Sequence, residues 1–333
     1  MKINQNENPW DVPESVKREA LRRLEARRWS RYPDFVASSL QESLAAFASW
    51  KADGVIAGNG SNELIQSLLM VTVNEVKKVL ISEPTFALYR QVTTILGGQV
   101  ISVPLTATFQ FDVTALTEAV KDSKPEVVIL CSPNNPTGSL IGDVDLKQLL
   151  RAAPGLVVID EAYHEFAAHS VVPLLNEFPN LVVLRTFSKA MGLAGMRIGY
   201  LLAAPELVTE IRKAVLPYNL NVFSQTVAQV AVEMYERELL PLVDRIIAER
   251  ERVFAEVNKI EGLTPIASQA NFMIVRTAVE PAKVFGELLT RDILIRDVSG
   301  YPMLKEYFRF NVGTPAENDQ LIGALKEIMT ESG

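Results

Sequence analysis

The sequence predicts an α/β protein, with a large domain on a mostly parallel central sheet and a smaller α+β domain beside it. Three observations predict this. First, five short runs (residues 79–81, 127–130, 157–159, 181–184 and 198–202) are apolar at successive positions, the pattern of strands covered on both faces. Second, helical segments alternate with these runs, as crossovers between parallel strands require. Third, the chain of 333 residues is long enough for two domains. We expect the large domain over residues 30–225 and the small domain over 1–29 plus 226–333.

The elements follow in order. Residues 14–28 mix Arg and Glu with Val16, Ala20, Leu21 and Leu24 at helical spacing, which reads as a solvated helix. Its basic run (Arg22, Arg23, Arg27, Arg28) is too short to imply nucleic acid. The turn Gly58-Asn59-Gly60-Ser61 precedes a helix over 62–73. After the five apolar runs, residues 225–260 read as a long helix interrupted at Pro241. A strand at 271–275, a helix at 281–291, strands at 293–295 and 308–312 and a helix at 316–330 then make the small α+β unit. The first turns of the chain are expected to pack against it.

Composition narrows the function. Forty acidic against 33 basic residues give a net charge of −7, which argues against a nucleic-acid binder. The opening Met1 to Trp10 has neither the apolar run nor the cleavage site of a secretory signal, and no stretch approaches a membrane span. The chain has two His and one Cys. An internal disulfide is therefore impossible, a Cys/His zinc site is excluded in practice, and acid–base chemistry falls to another residue type. Cys131 ends an apolar run and reads as a small buried hydrophobe. These features suit a reducing cytoplasm.

In open α/β sheets, ligands gather at the carboxyl ends of the strands. The run 157–159 ends in Asp160-Glu161-Ala162-Tyr163. A carboxylate leaving a buried strand is costly unless a cation meets it, although a helix N-cap is an alternative. The run 181–184 leads into Arg185-Thr186-Phe187-Ser188-Lys189, with Arg197 eight residues on. A partly desolvated lysine near another cation has a lowered pKa and can act as nucleophile or proton shuttle; a surface lysine in a glycine-rich loop is the alternative. The run 127–130 leads into Ser132-Pro133-Asn134-Asn135-Pro136-Thr137-Gly138, a rigid turn that presents two amides. Gly58-Asn59-Gly60-Ser61-Asn62-Glu63 can offer backbone N–H groups to an anion at a helix N-terminus. It lacks the third glycine of the dinucleotide fingerprint and the Gly-Lys-Ser/Thr of a P-loop, so it suggests a lone phosphate, and a nicotinamide-dependent oxidoreductase does not fit.

Taken together and in this order, these segments resemble the pyridoxal-phosphate-dependent aminotransferases of class II, with the aspartate aminotransferase fold (fold type I). Within them the chain is most similar to the histidinol-phosphate branch, through Asn6-Glu7-Asn8-Pro9, Arg31-Tyr32-Pro33-Asp34 and Pro217-Tyr218-Asn219-Leu220-Asn221. The resemblance implies pyridoxal 5′-phosphate as cofactor and no metal. It implies that Lys189 holds the cofactor and moves the Cα proton, and that Asp160 pairs with the ring nitrogen. Asn135 and Tyr163 would bind the ring oxygen and Phe86 would stack on the ring. Ser61, Asn62, Thr186, Ser188 and Arg197 would hold the phosphate, with Tyr32 reaching it from the second subunit of a homodimer. Arg309, assisted by Arg296, would bind the substrate anion, and Tyr89 and Asn8 would line the imidazole side. His164 and His169 receive no role.

The implied reaction is transamination between L-histidinol phosphate and 2-oxoglutarate, giving imidazole acetol phosphate and glutamate, in histidine biosynthesis. Three alternatives share the scaffold: a broad aromatic amino acid aminotransferase, a threonine-phosphate decarboxylase, and a cofactor-binding regulator without catalysis. Regulators of this kind carry an N-terminal DNA-binding segment, whereas here the cofactor-type domain begins almost at Met1.

Overall fold

A computed structural model describes residues 1–332. Helix α1 (Glu14–Glu25) buries Val16, Ala20 and Leu24 on one stripe. Glu14 in its first turn and Arg22 and Arg23 in its last suit the helix dipole. Helix α2 (Ser38–Ala48) leads to strand β1 (Val55–Gly58), and a turn at Gly60 opens helix α3 (Ser61–Thr72). Strands and helices then alternate: β2 (Lys78–Glu83), α4 (Leu88–Ile95), β3 (Gln99–Pro104), α5 (Val113–Ser123), β4 (Val127–Cys131), α6 (Asp143–Ala152) and β5 (Leu156–Asp160). The short α7 (His164–Ala167), β6 (Leu181–Thr186), β7 (Gly199–Ala203) and α8 (Pro205–Arg212) follow.

These strands form one seven-stranded sheet in the order β1-β7-β6-β5-β4-β2-β3. Strand β7 is antiparallel to both neighbours and the other pairs are parallel. All five apolar runs become strands of this sheet. Strands β1 and β3 lie outside the sequence expectation. β1 has only four residues, two of them Ala57 and Gly58, and β3 is a partly exposed edge with Gln99 and Ser102 breaking its apolar run. Each lacks the signature of a strand buried on both faces. Alternate residues of β5 feed opposite cores, Val157 and Ile159 on one face and Val158 on the other.

The remainder builds the second layer: α9 (Val222–Glu233), a π turn at Tyr235–Leu239, α10 (Leu240–Val257), β8 (Leu263–Pro265), β9 (Phe272–Thr277), α11 (Pro281–Thr290), β10 (Arg296–Asp297), β11 (Tyr307–Asn311) and α12 (Pro315–Ser332). Its sheet is antiparallel in the order β10-β11-β9-β8. The helical break falls just ahead of Pro241, which occupies the first turn of α10, where its missing N–H has no helical partner to lose.

Two expectations are corrected here. The strand expected at 293–295 is displaced: Leu294 exchanges backbone hydrogen bonds with residues 1 and 3, and pairing with β11 starts at Arg296, opposite Arg309. Of residues 1–29, expected with the small unit, Ile3 does join its core. Val12, Val16 and Ala20 instead belong to the core of the large sheet, because the apolar stripe of α1 meets α9 and not the small sheet. Ala228, Val230 and Ala231 of α9 share that large core as well.

Candidate active site

The carboxyl ends of β4, β5 and β6 open into a cavity of about 550 Å³, closed on its other side by the small sheet and by residues 2 and 5–7. Its lining contains Ser61, Asn62, Phe86, Tyr89, Asn135, Asp160, Tyr163, Thr186, Ser188, Lys189, Arg197, Arg296 and Arg309. These are thirteen of the fifteen site residues expected from sequence; Asn8 and Tyr32 are the two outside it.

Residue parity explains much of this convergence. Asp160 ends β5 on the same face as Val158, so it points into the cavity, while Glu161 points to the opposite core. Thr186 and Ser188 flank Phe187, which is buried in that opposite core. Arg197 sits at φ +51 and is half turned back, so that its guanidinium donates to Ser188 Oγ (3.3 Å) and the Ala194 carbonyl (3.2 Å).

One part of the cavity is an anion cradle. The first turn of α3 has no side-chain cap, so the N–H groups at Ser61 and Asn62 stay available. Gly60 lies at φ +81, and a Cβ there would come within 2.7 Å of the Arg197 guanidinium. Gly199 is equally constrained, since its Cβ would strike the Ser61 nitrogen at 2.3 Å. The two glycines thus let a helix N-terminus, two hydroxyls (Thr186 and Ser188) and a guanidinium close on one small group. A phosphate fits that donor set.

Beside the cradle stand two ionisable groups with displaced pKa values. Lys189 is lowered to about 8, first by desolvation and then by the charges of Arg309 and Arg197, against the opposing pull of Glu7 and Asp160. Its Nζ donates to the Gln5 carbonyl at 3.0 Å. Asp160 is raised to about 6 by burial, which outweighs the hydrogen bonds it accepts from Tyr89 Oη (2.7 Å) and the Ala162 N–H (3.1 Å). No cation hydrogen-bonds to Asp160 among the described residues, so its desolvation is not offset by a direct ion pair. Burial also holds the Tyr163 hydroxyl protonated, well above the ordinary tyrosine value.

The small sheet supplies the other charges. Arg296 and Arg309 are register partners across β10 and β11, and both line the cavity. Arg309 donates to Asn135 Oδ1 (2.5 Å) and to the Asn4 carbonyl (2.9 Å), and its buried Nε has no partner. Lys2 and Tyr301 join them. The lining holds five cationic residues (Lys2, Lys189, Arg197, Arg296, Arg309) against two acids (Glu7, Asp160). No group of three or more His, Cys, Asp or Glu residues suited to a metal occurs among the described residues.

Two side chains, Tyr89 and Asn8, depart from expectation, while Tyr32, expected to act from a second subunit, lies on the surface of its own chain. Tyr89 is fully buried and spends its hydroxyl on Asp160, so it supports that carboxylate. Asn8 is turned out of the cavity, donating to the Ala190 carbonyl (3.0 Å) and accepting from the Trp10 N–H (3.0 Å). Tyr32 is 81 % exposed and stacks on Tyr218 at 4.7 Å. In the rigid turn, Asn134 is structural: its side chain accepts from Thr85 and donates to Pro84 and Thr137. Sequence reasoning missed Lys2, Gln5, Asn6, Glu7 and Tyr301. The polar opening run Asn4-Gln5-Asn6-Glu7-Asn8 carries the signal for three of them, but nothing in it says which side chains turn inward.

With this geometry in hand, the family follows from comparison. The model of the family "Aminotransferase class I and II" matches residues 1–325. The chain belongs to the class I and II aminotransferases. A relative named histidinol-phosphate aminotransferase from Chlorobium limicola is 39% identical over 329 residues, covering 98% of this chain and 92% of the relative. Among solved structures, the histidinol-phosphate aminotransferase of Clostridium acetobutylicum superposes with a TM-score of 0.90 at 26% identity, covering 99% of each chain. That of Sinorhizobium meliloti, solved in complex with pyridoxal-5′-phosphate, gives a TM-score of 0.90 at 26% identity, over 100% of this chain and 91% of the other. The class I and II aminotransferase fold thus agrees with the mostly parallel seven-stranded sheet seen here. No helix among the described residues is long and apolar enough to cross a membrane.

Proposed function

We propose that this aminotransferase transfers the amino group of L-histidinol phosphate to 2-oxoglutarate, forming imidazole acetol phosphate and glutamate, with pyridoxal 5′-phosphate as cofactor. One observation carries the reading: a single cavity offers two anion sites, the α3 cradle with Arg197 from the large sheet and the paired Arg296 and Arg309 from the small sheet, with Lys189 in the same lining. The first suits a cofactor phosphate. The second suits a substrate phosphate in one half-reaction and a carboxylate in the other, because guanidinium binds both in bidentate fashion.

The bound cofactor supplies an electron sink conjugated to the substrate Cα. The protein residues do the rest. Lys189, with its pKa near 8, has a neutral fraction at physiological pH and can take and return the Cα proton. Asp160 would hold a proton on the ring nitrogen, and that cation would in turn keep Asp160 ionised. Tyr163 and Asn135, both in the cavity lining, would hold the ring oxygen, and Phe86 would cover one ring face. Arg309 and Arg296 orient the substrate anion. The half-exposed Glu7 is the remaining acid of the lining and the natural neighbour for a polar imidazole.

We also propose a cytoplasmic homodimer in which Tyr32 of the partner subunit completes the phosphate cradle. Trp29, Tyr32, Phe35 and Leu216 are all more than half exposed, and Tyr218 joins their aromatic contacts. Such an apolar patch fits a subunit interface.

The test is a substrate panel of histidinol phosphate, phenylalanine and threonine phosphate, each with the purified, cofactor-loaded protein. Preferential transamination of histidinol phosphate is expected. Turnover of phenylalanine with none of histidinol phosphate overturns the reading, and carbon dioxide release from threonine phosphate points to the decarboxylase. Loading with pyridoxal phosphate should give a visible band that Lys189→Ala loses.

A further inference from the structure

Asn6 lines the cavity, yet nothing in the mechanism above uses it. Its backbone sits at φ +56, a left-handed conformation that asparagine tolerates better than most residues. That conformation is held from both sides. The Asn6 N–H donates to Asn311 Oδ1 (3.1 Å), and the Asn271 side-chain amide donates to the Asn6 carbonyl (3.2 Å). The residues before it are tied to the small sheet: the Ile3 N–H donates to the Leu294 carbonyl (3.0 Å), the Asn311 N–H to the Ile3 carbonyl (2.9 Å), and Arg309 to the Asn4 carbonyl (2.9 Å). Residues 3–6 therefore form a short arm that runs from the small sheet to the ends of the large-sheet strands.

At its tip, the Asn6 Nδ2 donates to Tyr163 Oη at 2.9 Å, while the buried Asn6 Oδ1 has no partner. A side-chain NH₂ is a donor only, so the tyrosine oxygen must accept. The Tyr163 hydroxyl has no acceptor of its own among the described residues, and its side chain lines the cavity. Its proton is thus left facing the cavity. The charged and titratable groups around it are Arg309, Asp160, Cys131 and Lys189, whose Nζ is 6.0 Å from the ring centre. Arg309 and protonated Lys189 have no lone pair to take that proton.

We propose that Asn6 is a positioning residue: by donating to Tyr163 it commits the tyrosine proton to the ring oxygen of the bound cofactor. This rests on the cavity being a pyridoxal-phosphate site. A hydrogen bond donated to the ring oxygen stabilises its anionic form, and so lowers the pH at which the Lys189–cofactor linkage loses its proton. Asn6 then sets that pH through Tyr163, from an arm fixed to the other sheet.

The experiment is a pH titration of the visible band of the cofactor-loaded protein, for wild type, Asn6→Asp and Asn6→Gly, each also in a Tyr163→Phe background. Asp and Gly both accept the left-handed backbone, so the arm keeps its path. Asn6→Asp replaces the donor by an acceptor, turns the Tyr163 proton away from the ring, and should raise the midpoint by about one pH unit or more. Asn6→Gly frees the hydroxyl and should raise it by less. In the Tyr163→Phe background both shifts should largely vanish. An unchanged midpoint in Asn6→Asp overturns the proposal. So does a shift that is equally large without the tyrosine hydroxyl, which would make it a charge effect. If Asn6→Asp does not fold, Asn6→Gly carries the same test. Absence of the band in wild type would instead overturn the cofactor reading.

Discussion

Asp160 and Glu161 are consecutive buried carboxylates at the end of one strand, and the two sides of the sheet treat them in opposite ways. Glu161 faces the structural core. Arg185 donates to it at 2.9 Å, and Ser170 and the Val171 N–H complete its shell. Burial works against the Arg185 charge, but Tyr200 and Glu161 more than offset it and leave its pKa raised. Asp160 faces the cavity, where its hydrogen bonds come from a tyrosine and a backbone N–H. One carboxylate is paired with a buried arginine; the other has no cationic hydrogen-bond partner among the described residues and faces the cavity. Burial alone does not separate structure from function here, since both are equally inaccessible. The partner does.

Asn substitution at Asp160 should have the largest effect on catalysis. An amide cannot stabilise the charged ring nitrogen, so Asp160→Asn should lose on the order of 10³-fold in kcat. Its melting temperature should hold or rise. At Glu161 the pattern should reverse. Glu161→Gln removes the hydrogen-bonded counter-charge of buried Arg185 and leaves only the more distant Glu165, and breaking such a pair costs up to about 3–5 kcal/mol in stability. The activity of the remaining folded protein should change little. Denaturation curves beside single-turnover rates check both. If Asp160→Asn unfolds the protein and Glu161→Gln spares it, the division between the two faces is wrong.

The same contrast predicts a pH dependence. The pKa of Asp160 is raised in the folded protein, so its neutral form is the one the cofactor-free fold favours. That contribution is fully present below about pH 4, the unfolded value, and is lost as pH rises through about 6. Cofactor-free wild type should therefore lose roughly 2–3 kcal/mol over that window relative to Asp160→Asn, which lacks the titrating group. Cofactor affinity should run the other way and weaken as pH falls below 6, because the ring nitrogen then meets a neutral acid. Urea denaturation and equilibrium binding across pH 4–8 measure the two arms.

How much of this was legible in the sequence depends on which residues carried it. The double-sided apolar strands announced the central sheet, and the segments after them announced Asp160, Asn135, Lys189 and Arg197, because strand ends place ligands. The residues that support these groups from behind were less visible. Whether Tyr89 points at substrate or at Asp160 depends on how α4 packs, and whether Asn8 or Asn6 turns inward depends on one positive φ. Such facts are three-dimensional: a run of polar residues has no apolar period to fix its facing. The edge strand β3 escaped for a related reason, since only one of its faces is well covered.

The smallest effect belongs to Tyr89, and it tests how finely Asp160 is set. Its ring is fully buried, edge-on to Phe86 at 5.6 Å, and its hydroxyl donates to Asp160 Oδ2. Tyr89→Phe keeps the ring and removes one donor from the carboxylate, so packing should change little. With fewer donors, the carboxylate becomes more basic. The midpoint of Asp160 in the cofactor-free protein should rise by on the order of half to one unit above its value near 6, and the pH profile of cofactor binding should move with it. At neutral pH the loss in kcat should be only several-fold, because the bound cation dominates once it is in place. A several-fold loss with an unmoved binding profile would mean that Tyr89 only fills space beneath Phe86, and that burial and the Ala162 N–H alone set Asp160.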